Sequence, residues 1–415
     1  MQQKIVEILS PAGSFDSIRA AINGGADAIY FGVEQLNMRT RSSGNFTLTD
    51  IKEISSVCHQ HNIKAYLTLN TVMYEHDMQL LKIILKEVKK HKTDAVIASD
   101  FAVIELCRQM NIPLHISTQA NVSNIETVKF FSAFADTIVL ARELTLKQVK
   151  HITSEIKRKK ITGPSGELVK IEIFVHGALC MAISGKCYLS LHTENASANR
   201  GACVQNCRRS YTVIDTETNQ QLSINGEYIM SPQDLCTIGI LDDLIESGVS
   251  ILKIEGRTKG ADYVQEVTRC YREAVNSWYE GTYTQEKVEG WLNDMRKVYN
   301  RGFWEGYYLG RKPGEWTKTP GSIATEKKIY IGKGTNYYQR IGIGEFIMES
   351  GNLKAGDTIM VTGPLCGMVK EKVDTLVVNG TTSGQALKGD KITLPFATKV
   401  TTGNKLYKIV ETIDA

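Results

Sequence analysis

The amino-acid sequence predicts an α/β fold, a TIM-like (β/α)8 barrel followed by a C-terminal small antiparallel β-barrel domain. Eight short apolar runs rich in β-branched residues occur in the first ~260 residues, and amphipathic stretches separate them. Near Lys327 the pattern changes to short strands punctuated by glycine. Continuous apolar runs indicate a parallel sheet covered on both faces, and eight repeats close a barrel. The alternative is a doubly wound open sheet, but no Gly-rich phosphate fingerprint favours it.

The strands and helices of the predicted barrel alternate along the chain. The strands cover residues 6–9, 28–32, 64–69, 95–98, 114–117, 137–140, 172–175 and 251–254. Helical spacing of apolar residues predicts helices over residues 15–24, 50–61, 78–91, 102–110, 146–157, 261–280 and 285–300. We therefore predict a barrel domain over residues 1–315.

One interval interrupts this alternation. Residues 176–230 contain many Cys, Gly and Asn residues and no long helical pattern, with a hairpin predicted over 211–214 and 221–224. In a (β/α)8 barrel an insertion after the seventh strand lies on the C-terminal face, where active sites are built. A linker bearing Pro and Gly over 310–321 then leads to the predicted β-barrel domain, residues 325–415.

The composition is that of a globular protein, with 42% hydrophobic and 23% charged residues. The net charge of +4 is small, so a nucleic-acid partner would have to be bound by a local basic patch. Because the N-terminus has no signal-peptide pattern and no run reaches the ~18 apolar residues of a membrane helix, we expect a cytoplasmic protein with no membrane association. The sequence does not indicate the oligomeric state.

Four of the nine cysteines predict a metal site. Cys180, Cys187, Cys203 and Cys207 follow the spacing C-x6-C-x15-C-x3-C within the insertion. In a reducing compartment clustered cysteines indicate metal or redox chemistry rather than disulfides. Four thiolates can hold an iron–sulfur cluster or a zinc ion, and zinc sites usually pair cysteines as C-x2-C. We therefore favour a cluster, with zinc as the alternative.

Polar residues in or after the predicted strands form a second group. We expect most of them to converge on one barrel mouth, because the ends of parallel strands meet there. Arginines in such a pocket suit a small dicarboxylate ligand, since guanidinium binds carboxylate bidentately. The predicted catalytic residues are His176, Glu255 and Glu7, and the predicted substrate-binding residues are Arg41, Asn70, Gln119, Asn121, Arg142 and Arg257. Structural ion pairs at the barrel rim are the alternative for any one of them.

Several segments resemble those of the peptidase U32 family. The segment EIFVHGALCMAISGKCYLS at 172–190 is similar to the family signature. Six further segments are similar to family segments and occur along the chain in the family order: SPAGSFDSIRAAINGGADAIYFG, STQANVSN, VLAREL, SPQDLC, KIEGRTKGADYV and NRGF. The resemblance spans nearly the whole barrel and is specific. It implies that the four cysteines bind a 4Fe–4S cluster.

The same resemblance implies an RNA-modifying activity. Length and the C-terminal domain are most like members that hydroxylate C5 of the tRNA wobble uridine, with prephenate as the hydroxyl source. The C-terminal domain would then bind tRNA through cations such as Lys327, Lys328, Lys333 and Arg340. A U32-type peptidase of the collagenase kind is the alternative, although the sequence has no H-E-x-x-H or suitably placed G-x-S-x-G motif. A non-catalytic RNA-binding protein with a structural cluster is a third possibility.

Overall fold

The structure is a computed structural model. It describes residues 6–34, 36–39, 46–209, 211, 213–214, 216–218, 221–222, 230–310, 315–317 and 321–412. The strands up to residue 310 are β1 (Glu7–Pro11), β2 (Ala28–Phe31), β3 (Lys64–Leu69), β4 (Ala95–Ala98), β5 (Leu114–Ile116), β6 (Thr137–Val139), β7 (Lys170–Gly177), β8 (Val213–Ile214), β9 (Gln221–Leu222), β10 (Asp234–Cys236), β11 (Ile251–Ile254) and β12 (Phe303–Trp304).

Strands β1 to β7 and β11 form a closed parallel barrel. Neighbouring strands pair in chain order, and β11 closes the ring by pairing with both β7 and β1. The predicted (β/α)8 fold is therefore confirmed, with each of the eight predicted strands within two residues of its observed bounds at every end. The open-sheet alternative is wrong because the first and last strands are hydrogen-bonded to each other.

Helices surround the barrel. They are α1 (Phe15–Asn23), α2 (Asp50–Gln60), α3 (Met78–Lys90), α4 (Phe101–Met110), α5 (Ile125–Phe131), α6 (Leu146–Lys159), α7 (Leu189–Glu194), α8 (Leu241–Glu246), α9 (Ala261–Tyr279) and α10 (Gln285–Lys297). Sequence reasoning missed α5, α7 and α8, because six or seven residues are too few to show helical periodicity. Side-chain caps fix several starts; for example, Ser14 accepts a hydrogen bond from the backbone of Ser17 in α1.

Two layers of side chains hold the barrel together. The outer layer is the large core between the strands and the helices, which includes Ile18 of α1 and Val264 of α9. The inner layer is a small cluster inside the barrel, which consists of Leu9, Ala28, Tyr30, Tyr66, Ala95, Ile97 and Ile251. Because this layer fills the middle of the barrel, polar residues further along the same strands can gather only at its ends.

The insertion begins where β7 leaves the barrel. Gly177, the last residue of β7, has a φ of +105°, and a Cβ there would lie 2.5 Å from the Glu255 carbonyl oxygen. Glycine therefore lets the chain cross β11 closely at the barrel mouth. Strand β10 pairs antiparallel with β7 at the end of the insertion, and β8 and β9 form the predicted hairpin.

The C-terminal region is antiparallel, as predicted. Its strands are β13 (Glu326–Tyr338), β14 (Ile343–Met348), β15 (Asn352–Lys354), β16 (Thr358–Gly363), β17 (Gly367–Lys372), β18 (Val377–Val378), β19 (Thr381–Thr382), β20 (Gln385–Leu387), β21 (Lys391–Pro395) and β22 (Lys405–Glu411). Eight of them form one sheet in the order β17-β16-β22-β13-β14-β21-β18-β19, around a separate core that includes Phe346.

The sheet packs on the barrel beside α1. The Asn23 amide donates to the Cys366 carbonyl at 3.0 Å, and a Cβ on Gly367 would meet the Ala20 backbone at 2.8 Å. Lys328 also lies 2.6 Å from Asp262 of α9. Within the described residues, no helix is both long and apolar enough to span a bilayer.

Candidate active site at the barrel mouth

The C-terminal end of the barrel contains a cavity of about 80 Å³, here called the mouth cavity. It brings together five predicted site residues, which are Asn70, Gln119, Arg142, Glu255 and Arg257. They lie in the segments that follow β3, β5, β6 and β11, so the structure shows the expected convergence of strand ends for these five residues.

Cations outnumber carboxylates in this lining. Among the described lining residues, Arg39, Arg142, Lys253 and Arg257 face one carboxylate, that of Glu255. The volume suits a carboxylate head group and a few waters rather than a whole drug-sized ligand. The mouth cavity is therefore suited to hold the anionic end of a small molecule.

Glu255 is buried but ionised. Burial raises its pKa. The guanidinium of Arg39, 2.8 Å away, acts with Arg142 and Lys259 in the opposite direction, and these cations lower the pKa to about 2. Glu255 in turn raises the pKa of Arg39 above its ordinary value. At neutral pH the pair is a fixed zwitterion, and Glu255 can only accept a proton or a hydrogen bond.

Arg257 and Arg142 are held in place by neutral groups. Arg257 donates to Asn37 Oδ1 at 3.0 Å and to Thr68 Oγ1 at 2.9 Å, and burial lowers its pKa to about 10. Arg142 donates to the Ala178 carbonyl at 3.0 Å, and its guanidinium carbon lies 3.8 Å from the Phe174 ring centroid. Since neither arginine has its charge matched by a carboxylate in these contacts, both can bind an anion.

Sequence reasoning missed Lys253, which lies one layer deeper in the barrel. Its Nζ is 2.6 Å from Glu172 Oε1, and His115 Nδ1 is 3.5 Å from Glu172 Oε2 without the alignment of a hydrogen bond. Burial lowers the pKa of Lys253, and Glu172 opposes that shift. The two-residue spacing of Lys253, Glu255 and Arg257, at and just beyond the end of β11, was the available signal, because residues two apart share a face of an extended chain.

The structure does not bring every predicted residue to the mouth. Glu7 begins β1, and its carboxylate contacts Lys64 Nζ at 2.6 Å and the Tyr66 hydroxyl at 2.8 Å. Lys64 begins β3, so Glu7 lies at the N-terminal end of the barrel, and its predicted place at the mouth is wrong. Asn121 donates to the Gln119 carbonyl at 2.8 Å and is not among the lining residues of the mouth cavity. Arg41 lies outside the described residues.

His176 is also displaced from the mouth cavity. Its ring lies 5.6 to 5.9 Å from the rings of Tyr263, Tyr271 and Phe303, and its Nδ1 has no hydrogen-bond partner among the described residues. Burial lowers the pKa of His176 to about 3, so the imidazole is neutral at pH 7. A proton donor works best when it is protonated near neutrality, which burial disfavours here, and His176 is not among the lining residues of the mouth cavity, so its catalytic role stays a prediction.

His176→Phe is expected to keep activity at pH 7.5 and to reduce acid sensitivity. The unfolded state takes up a proton below pH 6.5 and the folded state does not, so His176 destabilises the fold as the pH falls from 6.5 towards 3. Between pH 7 and pH 4.5 the wild type should lose about 2 kcal/mol more unfolding free energy than the variant, measured by urea titration. The control is His192→Gln, at an exposed histidine. Inactive His176→Phe protein with a normal fold and metal content would restore the predicted catalytic role.

The four predicted ligands surround a cavity of about 290 Å³, here called the cysteine cavity. Cys180, Cys187, Cys203 and Cys207 all line it and none is in a disulfide. Burial raises the pKa of Cys207, Arg208 opposes this, and the other three thiols raise it further. The insertion therefore brings the other three thiols within electrostatic reach of Cys207.

No three of the four described sulfurs lie as close together as a single zinc ion would hold them. Among the described residues, no three of these sulfurs lie within 4.8 Å of one another. A tetrahedral zinc with bonds of about 2.3 Å holds its sulfurs only ~3.8 Å apart. In a four-iron cluster each thiolate binds a different iron, which requires a wider cage. The donor set, four thiols lining one cavity, is therefore chemically suited to a cubane cluster.

Arginines fix the loop around the cysteine cavity. Arg208 donates to the carbonyls of Leu179 and Pro232, each at 2.6 Å. Arg200 donates to Asp77 at 3.0 Å and stacks 4.3 Å above the Tyr74 ring centroid. The insertion is thus anchored to the barrel by charge-assisted bonds that do not need a bound metal.

The mouth and cysteine cavities are adjacent. Met38, Arg39, Cys180 and Gly185 line both of them, and Cys180 raises the pKa of Arg39 as Glu255 does. A third cavity of about 400 Å³, here called the outer cavity, also adjoins the mouth cavity. The mouth and outer cavities share Met38, Asn70, Gln119, Ser184 and Gly185.

The predicted basic residues of the C-terminal sheet are partly neutralised. Lys328 pairs with Asp262 and Lys333 lies 2.7 Å from Glu349. Surface pairs of this kind leave less positive charge for a phosphate backbone than the sequence suggests.

Comparisons with known proteins agree with this architecture. The family model described as "Peptidase family U32" matches residues 13–318. A protein named collagenase from Porphyromonas gingivalis is 48% identical over 402 residues, covering 97% of each chain. The tRNA hydroxylation protein P1 of Bacillus subtilis is 29% identical over 378 residues, covering 89% of this chain and 86% of its own. The 23S rRNA 5-hydroxycytidine C2501 synthase of Escherichia coli is 36% identical over 279 residues, covering 66% of this chain and 40% of its own. With the match spanning the barrel and its cysteine insertion, the chain belongs to the peptidase U32 family.

Proposed function

We propose that this protein is an iron–sulfur-dependent tRNA hydroxylase that modifies C5 of the wobble uridine, with prephenate as the hydroxyl source. The observation that carries the proposal is the cationic mouth cavity, which adjoins a cavity lined by four thiols and shares Cys180 with it. Two anion-binding arginines beside a candidate cluster fit a reaction between an acidic co-substrate and a redox centre.

At the mouth cavity, different residues would bind the co-substrate and accept a proton or hydrogen bond from the substrate. Arg142 and Arg257 would bind a carboxylate of the co-substrate, because both guanidinium groups line the cavity with their charges unmatched by a carboxylate in the contacts described above. Glu255, ionised and oriented by Arg39, would accept a proton or a hydrogen bond from the substrate. A cluster bound by the four cysteines would supply electron transfer or Lewis acidity beside this cavity.

The relatives support RNA as the substrate class. Proteins named for tRNA or rRNA hydroxylation are 27 to 36% identical to this chain. An anticodon loop presents unpaired bases, so a deep barrel pocket can receive one without opening a duplex.

A peptidase is the second candidate, favoured by the collagenase name of the relative that is 48% identical. Several hydroxyls that line the mouth cavity are engaged elsewhere: Thr68 donates to the Phe31 carbonyl, Thr118 to the Leu140 carbonyl and Ser117 to Gln119. Among the described residues that line the mouth cavity there is no histidine to activate a hydroxyl nucleophile. This chemistry supports peptide hydrolysis less well than anion binding.

Anaerobic purification followed by iron, sulfide and zinc analysis tests the proposal first. About four irons and four sulfides per chain are expected. The same preparation is then incubated with tRNA and prephenate, and nucleosides are analysed by mass spectrometry for 5-hydroxyuridine. Stoichiometric zinc without sulfide, or gelatin cleavage without RNA modification, would contradict the proposal.

A further inference from the structure

We propose that the outer cavity binds the target uracil base and that Asn199 recognises its Watson–Crick edge, an inference that rests on the proposed function. The outer cavity has about five times the volume of the mouth cavity, about 400 against about 80 Å³. Its size is in the range of small-molecule sites, and its open position suits a base swung out of an RNA loop. The anionic co-substrate and the base would then meet at the shared wall.

The wall between the two cavities is formed by side-chain amides. Asn70 Nδ2 donates to Gln119 Oε1 at 3.3 Å, and Asn70 Oδ1 accepts from the backbone of Met38. A Cβ on Gly185, whose φ is +78°, would lie 2.7 Å from Gln119 Cγ. The cysteine loop therefore crosses directly above the wall, and the candidate cluster, the co-substrate and the base would lie side by side.

Asn199 is a residue of the outer cavity with a hydrogen-bond acceptor that the described residues leave unsatisfied. It lines the cavity, and its Oδ1 is buried without a hydrogen-bond partner among the described residues. A buried acceptor left unpaired is costly, so a donor from a ligand would be favourable there. Uracil offers an N–H at N3, whereas cytosine has a lone pair at N3. A small rotation of the side-chain amide would let Oδ1 accept from uracil and would place a repulsive lone pair against cytosine.

The position of Asn199 is fixed from both sides. Its own carbonyl accepts from the Val72 backbone at 3.1 Å, and the next residue, Arg200, is paired with Asp77. The preceding residue, Ala198, lines the cysteine cavity. The segment that surrounds the thiols thus also carries the proposed base-recognising amide, and the fixed backbone at Asn199 limits the positions that this amide can take.

Phe101 supplies a surface on which a base can stack. It is the first residue of α4, lines the outer cavity and is 68% exposed, so its ring is accessible to a ligand. Lys186 lines the same cavity and can contact a phosphate. Stacking tolerates any base, so Phe101 would add affinity and Asn199 selectivity.

The test measures binding of anticodon stem-loop RNAs that carry either uridine or cytidine at the wobble position. Fluorescence anisotropy is recorded on iron-replete protein, and a gelatin-derived peptide serves as competitor. The wild type should prefer the uridine RNA about tenfold, and Asn199→Ala should lose that preference by weakening the uridine RNA alone. Phe101→Ala should weaken both RNAs about equally, by tenfold or more.

The matched control is Asn195→Gly, which removes an exposed amide from the same insertion. Asn195 has a φ of +50°, which glycine adopts without strain, so selectivity should be unchanged. One outcome would overturn the base-recognition proposal alone. In it the wild type hydroxylates uridine, and iron-replete Asn199→Ala keeps the wild-type preference for the uridine RNA over the cytidine RNA. A wild type that neither binds nor hydroxylates either RNA would overturn the proposed function with it. If the peptide displaces the RNA, the outer cavity binds a peptide rather than a base, and the base-recognition proposal is wrong.

Discussion

Cys203→Ser is expected to remove the iron of the anaerobically purified protein and its hydroxylase activity together. A serine hydroxyl stays protonated near neutral pH and is a poor ligand for iron that a thiolate binds well. With one of four ligands lost, a four-iron cluster should be absent or reduced to a small fraction. The barrel should stay folded, because the insertion is anchored by Arg200 and Arg208 as well as by the thiols. Iron content, sulfide content, visible absorbance and 5-hydroxyuridine formation are the measurements.

Cys107→Ala is the matched control for this prediction. Cys107 is buried in α4, outside the insertion, and behaves as a small apolar side chain. Its variant should keep about four irons per chain and wild-type activity. Undiminished activity in a cluster-free Cys203→Ser protein would remove the cluster from the mechanism, and unchanged iron content would place the ligands elsewhere.

Arg257→Ala is expected to weaken prephenate binding by about 1.5–3 kcal/mol, which is roughly 10- to 150-fold. The side chain is buried at the mouth cavity, where the cost of losing a charge-assisted pair is large. Arg257→Lys retains the charge but not the guanidinium fork, so an intermediate loss is expected. Binding is measured by calorimetry on the folded, iron-replete variants, with a monocarboxylate of similar size as a second ligand.

The control for Arg257 lies at the opposite end of the same barrel. Lys64→Ala removes a cation that pairs with Glu7 at the N-terminal end, far along β3 from Asn70. It should leave prephenate affinity unchanged, although stability can fall slightly. Equal losses in the two variants would mean that net charge, rather than a specific contact at the mouth, governs binding. An unchanged affinity in Arg257→Ala would place the dicarboxylate site elsewhere.

The sequence alone determined the fold class and singled out four cysteines as candidate ligands. Apolar runs such as Ala95–Ala98 are short, continuous and flanked by helical spacing, so local pattern was enough to place them. The cysteines were identifiable because four of them lie within 28 residues, at 180–207. The family segments gave the RNA hypothesis, which neither spacing nor composition contains.

Tertiary structure decided which polar residues meet. Glu7 and Glu255 are both carboxylates of barrel strands, yet one begins β1 and the other follows β11, so they lie at opposite ends. His176 was predicted as catalytic from its neighbourhood in the chain, but it packs against three aromatic rings instead. Asn199 gave no local signal, and the two-residue spacing of Lys253, Glu255 and Arg257 was a signal that revealed neither burial nor partners. The physical reason is that burial and partners arise from strand register and from a loop folding over the mouth, and these long-range contacts leave no trace in the residues nearby.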